Sequence, residues 1–341
     1  ANITGEKNAI ISEFDRPSGS GMSSETLLFE STWGEGDNKV HKKLVARLAP
    51  TDQDIPVFPT YDLSSQVKVM KLVEQLTDIK VPKVLWEEPS IDVLGVPFFV
   101  MEQVPGRVPP DIPPYVFGGW LLDATPESQL QLQELCVGII AQLHQIKQKS
   151  PDTDFLEFRT QGDTALKRHF TNQKEYYRWV VQDSRQHPVI EQAFDWLESH
   201  WPEETETVVS WGDARIGNIM FDNKSLEPVA VLDWEMAGLA PVEVDLGWMI
   251  FMHKFFQVIA EALEFPGMPK FMASIDVTSK FTELTGIVPK NIDWFEIYAA
   301  TRHAIIMSRI NDRSVHFGES EWTDDVDSAI PHRDYLRSRI Q

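Results

Sequence analysis

The chain has 341 residues, more than a single hydrophobic core usually organises, so two lobes are expected. At 42% hydrophobic and 24% charged residues the composition is that of a globular protein and argues against disorder. Fifty-two acidic residues stand against 31 basic ones, and the formal charge of -21 argues against nucleic acid or an anionic membrane surface as a partner.

That charge would draw in a cationic substrate, and it also serves simple solubility. One cysteine, Cys136, excludes an intrachain disulfide and a cysteine-based zinc site, which fits a reducing, cytoplasmic setting. The start of the sequence has no basic segment followed by an apolar run, so no signal peptide is visible.

From Asn8 to about Met101 the pattern is strand-like. The runs "AIISEF", "ETLLFESTW" and "KKLVARLA" are separated by Gly, Ser and Asn clusters, as in an antiparallel sheet. One helix interrupts them: "SSQVKVMKLVEQL" places Val67, Met70, Val73 and Leu76 at helical spacing. The run "VPFFVMEQV" is a further strand, and the Pro- and Gly-dense "PGRVPPDIPPYVFGG" that follows reads as an irregular connector between lobes 1–104 and 105–341.

Beyond it the chain reads as mostly helical. Pro126 opens a long helix carrying Leu130, Leu132, Leu135, Ile139 and Leu143, and further helices fit Thr171–Gln182, Val189–Ser199, Val242–Leu263 and Trp294–Asn311. The apolar window Leu246–Phe265 contains His253, Lys254, Gln257, Glu261 and Glu264, so it reads as a buried core helix and no membrane span is expected. Two short strands, "TVVSW" and "PVAVLDW", are expected among these helices.

Asp213 lies two residues past the first of these strands and Asp233 at the close of the second, with Asn218 five residues after the first aspartate and fifteen before the second. A buried carboxylate must be paired, hydrogen-bonded or bound to a metal. A turn cap, a local bend and an ion pair would account for the three residues one at a time. Together they suit phosphoryl transfer to an alcohol, which needs a carboxylate to orient the hydroxyl and oxygen ligands for magnesium on the nucleotide phosphates. Asp213 is the candidate base, and Asn218 and Asp233 are the candidate metal ligands.

The stretches "WGDARIGN" and "VLDWE" resemble the H-G-D-x-x-x-x-N and D-W-E motifs of the aminoglycoside phosphotransferase and choline kinase-like superfamily, relatives of protein kinases. A glycine loop, the "FFVMEQVPG" hinge, the "AQLHQI" helix end and "DLGWM" occur in the same order, so the resemblance covers most of the chain. It implies an α+β, bilobal protein-kinase-like fold, with a small antiparallel-sheet N-lobe carrying one helix and a larger, mainly helical C-lobe. It also implies ATP and Mg2+ as cofactors and a small-molecule hydroxyl acceptor, with Asp245 bracing the catalytic loop by hydrogen bonds. The wording of "SWGDARIGN" and "VLDWEMAG" is similar to the branch of kinase-like domains fused to acyl-CoA dehydrogenases, so a hydroxyacyl acceptor stands beside an aminoglycoside or amino-alcohol.

Three positions depart from the family pattern. Trp211 replaces the usual His, Arg47 stands where a lysine meets the α- and β-phosphates, and the helix carboxylate that should orient that cation is replaced by a choice between Gln66 and Glu74. Arg can take the phosphate in bidentate fashion. Arg215 stands either beside the transferring phosphoryl group or in a structural ion pair. Gly19, Ser20 and Gly21 form the candidate phosphate loop. Met101, Glu102 and Val104 line the expected adenine slot, with backbone groups of Glu102 and Val104 on the base.

Three other features carry bland expectations. His144 is expected to be a satisfied structural histidine, Arg302, Arg309 and Arg313 a solvated or salt-bridged face rather than a basic pocket for an anionic substrate tail, and the acidic stretch "GESEWTDD" simply exposed. The competing reading of the whole is a pseudokinase that binds nucleotide or a partner without turnover. Oligomeric state is open.

Overall fold

The computed structural model describes residues 9–16, 24–34, 36–51, 54–148 and 152–341. Its contacts divide the chain into two compact units: Ala1–Arg107 with Met220–Glu235, and Val108–Ile219 with Met236–Gln341.

The first unit holds strands β1 (Ile10–Ile11), β2 (Glu25–Trp33), β3 (Val40–Leu48), β4 (Val84–Glu88) and β5 (Phe98–Glu102), in the antiparallel order β1-β2-β3-β5-β4. Alternation along β3 gives the sheet two distinct faces. Leu44, Ala46 and Leu48 pack with Phe98 and Val100 into one cluster. Val45 and Arg47 therefore project to the other face, which is how a charged residue enters a mostly apolar strand. Helix α1 (Leu63–Leu76) starts at Asp62, whose carboxylate accepts from the Ser65 N–H at 2.9 Å, and it buries Gln66, Val67, Met70 and Val73.

The second unit is mainly helical: α2 (Pro126–Leu143), α3 (Ala165–Val181), α4 (Pro188–Ser199), α5 (Glu243–Ala262), α6 (Ser274–Thr285), α7 (Ile292–His316) and α8 (Arg333–Arg339). Helix α5 is apolar on nearly every face and buried from Glu243 to His253, so it forms the centre against which α7 packs. Four short strands lie in the middle of the chain. Strand β6 (Thr207–Ser210) pairs antiparallel with β9 (Gly238–Pro241), and β7 (Ile219–Phe221) pairs with β8 (Pro228–Val231).

The structure corrects the expected element list. Four strands stand where two were expected, and β4, α6 and α8 are additional. Their physical reason is common: β7 and β9 have three and four residues, and α6 buries only Val277 and Phe281, so none offers a usable hydrophobic period. Among the described residues, no helix is long and apolar enough to cross a membrane.

Buried histidines give the fold a pH dependence. Burial pulls His253 and His332 down from 6.5 to about 4, although each ring also meets a carbonyl, Met268 O at 3.0 Å and Ala300 O at 2.9 Å. The unfolded chain therefore takes up these protons first as pH falls, so stability is full above about 6.5 and is lost towards 4. Each ring costs up to about 1.4 kcal/mol per pH unit in that window. Urea melts at pH 7.5 and pH 5 should show a clearly lower midpoint at pH 5, before most carboxylates titrate; equal midpoints would contradict the assignment.

Candidate active site

In the second unit, the chain leaves β6 through Trp211, Gly212 and Asp213 and enters a single short turn of helix at Ile216–Asn218. Gly212 has φ 87°, and a Cβ there would lie 2.0 Å from the Met236 carbonyl oxygen, so the turn requires glycine. Below the turn, Asp245 is fully buried on the first turn of α5. It accepts from the Ser210 hydroxyl at 2.7 Å and from the Trp211 N–H, the Gly212 N–H and His144 Nε2 at 2.9 Å each. Burial acts to raise its pKa, but His144, the Gly212 amide and the Ser210 hydroxyl outweigh burial and hold it below the usual carboxylate range. His144 is thus a structural residue but only half satisfied, since Nε2 meets Asp245 while Nδ1 is buried without a hydrogen-bond partner among the described residues; Trp211 is wholly buried in place of the family's histidine.

Three donors fix the Asp213 carboxylate. Trp248 Nε1 donates to Oδ1 at 2.7 Å, Asn218 Nδ2 to Oδ2 at 2.7 Å, and Arg215 Nε is shared between both oxygens at 3.1 Å. With its amide nitrogen on Asp213, Asn218 has its carbonyl oxygen left to face a cation. The Nη1 group of Arg215 donates to Asp111, so its guanidinium stands between two carboxylates. Burial would weaken its charge, and the two acids more than offset this, pushing its pKa up.

Arg302 is buried, not solvated as expected. Its guanidinium lies 4.4 Å from the Trp248 ring centre and donates to the Gly212 carbonyl at 3.1 Å. Arg309 and Arg313 lie over Trp179 and Phe317. Sequence reasoning missed Asp111, Trp248 and Arg302 as neighbours of the site. Trp248 sits inside "DLGWM", which offered a signal; Asp111 sits in a proline-rich stretch that carried none.

In the first unit, Arg47, Met101, Val104 and Asp233 meet around one cavity of about 390 Å3, whose other walls include Leu28, Val45, Phe99 and Leu232. That is within the size range of small-molecule sites. Arg47 Nη2 lies 3.5 Å from Asp233 Oδ1, and its Nη1 donates to Thr26 Oγ1 at 3.3 Å. Asp233 has φ 60°, a left-handed conformation that costs a non-glycine residue about 1 kcal/mol. Gln66 lines the same cavity and Glu74 is exposed, so α1 brings an amide to the wall that holds Arg47.

Glu102 does not line this cavity. Its side chain pairs with Lys42, and its N–H is already donated to the Lys83 carbonyl at 3.0 Å, which leaves its carbonyl as the backbone group it can offer a base. Gly19, Ser20 and Gly21 lie outside the described residues. Among the described residues no three His, Cys, Asp or Glu side chains are grouped to hold a metal ion.

A sequence profile of the phosphotransferase enzyme family matches residues 19–267. Acyl-CoA dehydrogenase family member 10 of Mus musculus is 25% identical over 207 residues, which is 61% of this chain and 18% of that relative's length. A crystal structure of a putative aminoglycoside phosphotransferase from Ralstonia eutropha superposes with a TM-score of 0.68 at 18% identity, over 99% of this chain and 93% of that one. The GDP and kanamycin complex of APH(2")-IIIa gives a TM-score of 0.59 at 13% identity, over 96% and 94%. These likenesses make the fold an α+β, bilobal, protein-kinase-like one.

Proposed function

The chain belongs to the phosphotransferase enzyme family and is a small-molecule kinase, and from that premise we propose that it moves the γ-phosphoryl group of ATP, with magnesium, onto a hydroxyl of a small acceptor. The observation that supports this reading most is the Asp213 carboxylate, oriented by Trp248, Arg215 and Asn218. A carboxylate held this way can receive a hydroxyl proton without first reorganising.

In the proposed reaction the acceptor O–H gives its proton to Asp213 as its oxygen bonds to the γ-phosphorus. The bond from that phosphorus to the β-γ bridging oxygen breaks, leaving a phosphate ester and ADP. Arg215 stabilises the charge that gathers on the transferring group. Arg47 holds the α- and β-phosphates, the cavity walls at Met101 and Val104 and the Glu102 carbonyl take the adenine, and Gly19, Ser20 and Gly21 contribute backbone N–H groups to the phosphates.

Asn218 through its carbonyl oxygen and Asp233 through its carboxylate are proposed to hold the magnesium. Both are hard oxygen donors, as Mg2+ prefers, and few protein ligands are needed where phosphates complete the shell. Bound there, the ion would neutralise phosphate charge. A cytoplasmic setting belongs to the same proposal.

For the acceptor, the net charge of -21 favours an aminoglycoside or another cationic amino-alcohol, and the likeness to a stretch of an acyl-CoA dehydrogenase family member favours a hydroxyacyl compound. ATP consumption with magnesium across amino-alcohols, aminoglycosides and hydroxyacyl-CoA esters tests the proposal. Turnover with one class is the expected result; absence of both turnover and magnesium-dependent ATP binding would overturn it. In the same series Arg47→Ala should weaken ATP binding about ten- to a hundredfold, the worth of a hydrogen bond to a charged group.

A further inference from the structure

We infer that Asp111 is a positioning residue for the transfer: it holds Arg215 in place and so keeps the Asp213 carboxylate accessible to the acceptor hydroxyl. This rests on the reading of Asp213 as the base. The proline-rich stretch around Asp111 is irregular, yet it is firmly attached within the second unit. Asp111 forms a bridge with Pro114, the Tyr115 N–H donates to the Pro110 carbonyl at 2.8 Å, and the buried Tyr115 hydroxyl meets His253 Nδ1 at 2.9 Å. The stretch therefore delivers one acid to a fixed point.

At that point Asp111 Oδ2 accepts from Arg215 Nη1. A guanidinium is planar and rigid, so anchoring Nη1 also sets the direction of Nε, the group shared by the two oxygens of Asp213. Close packing on the far side supports the same geometry. A Cβ on Gly217 would lie 2.7 Å from Arg215 Nη1 and 2.8 Å from Asp111 Oδ1, and that oxygen is buried without a hydrogen-bond partner among the described residues. The carboxylate is thus seated against Arg215, and the absence of a side chain at Gly217 leaves room for both groups.

The consequence concerns competition for the base. Oδ1 of Asp213 already accepts from Trp248 and Oδ2 from Asn218, so the acceptor hydroxyl must use the position at which the Arg215 proton is shared. Asp111 draws the guanidinium the other way. Without that charge, Arg215 has one carboxylate left and closes on it, occupying the lone pairs the hydroxyl needs.

A double-mutant cycle tests this. Asp111→Asn should lower kcat on the order of ten- to a hundredfold, as small misplacements near a reacting centre do, with the KM for ATP unchanged and Asp111→Glu recovering part of the rate. Combined with Arg215→Ala, it should cost no more than Arg215→Ala alone. Multiplying effects in the double variant, or a lower melting temperature with unchanged kcat, would overturn the inference. A second readout needs no turnover: the Arg215 Nε–H resonance, identified by its loss in Arg215→Lys, should move in Asp111→Asn. An unmoved resonance refutes the role of Asp111 whether or not an acceptor is found, whereas a wild-type protein silent on every acceptor counts against the proposed function alone.

Discussion

Asp213→Asn is expected to lower kcat by about 10²- to 10⁴-fold, the usual contribution of a general base, while ATP binding and the fold persist. The substitution keeps the shape of the side chain and removes its capacity to take a proton. Two of the three groups that hold Asp213 keep other partners: Arg215 stays on Asp111, and Trp248 stays packed beneath the Arg302 guanidinium. The loss should therefore fall on the chemical step. Single-turnover phosphoryl transfer together with calorimetric ATP binding separates the two quantities. Wild-type-like turnover would remove Asp213 from the reaction, and loss of ATP binding together with turnover would point to a collapsed loop.

How much of this was legible beforehand depended on the range of each signal. Local order was enough for β2, β3, α1 and α5, because β-branched alternation or helical spacing runs through each of them. The cluster of Asp213, Arg215 and Asn218 was legible too, since its members are close in sequence and converge within one turn. Asp111, Trp248 and Arg302 were not, because each reaches that cluster from a distant segment and only tertiary packing brings it there. Arg302 shows the difficulty best. Periodicity grouped it with Arg309 and Arg313, yet it alone is enclosed, stacked on Trp248 and bonded to a backbone carbonyl that no sequence pattern marks.

Asp245→Asn should be the most destabilising of these single changes. The Asp245 carboxylate accepts four hydrogen bonds, from Ser210, Trp211, Gly212 and His144, and all of them are donors closed off from water. Asparagine offers one oxygen and turns an NH2 group towards the rest, so at least one donor faces another donor. Breaking a buried, paired charge in this way costs about 3–5 kcal/mol. For a unit of this size each kcal/mol lowers Tm by about 2–4 °C, so a fall of about 10 °C is expected. Activity should fall with it at temperatures where the protein is still folded, because two of the lost bonds fix the backbone of Trp211 and Gly212, and the next residue is Asp213. Calorimetry decides the first part and kcat at 15 °C below the variant's own Tm the second. A melting point within about 2 °C of wild type would mean that the four donors find water or new partners, and that Asp245 does not hold the loop.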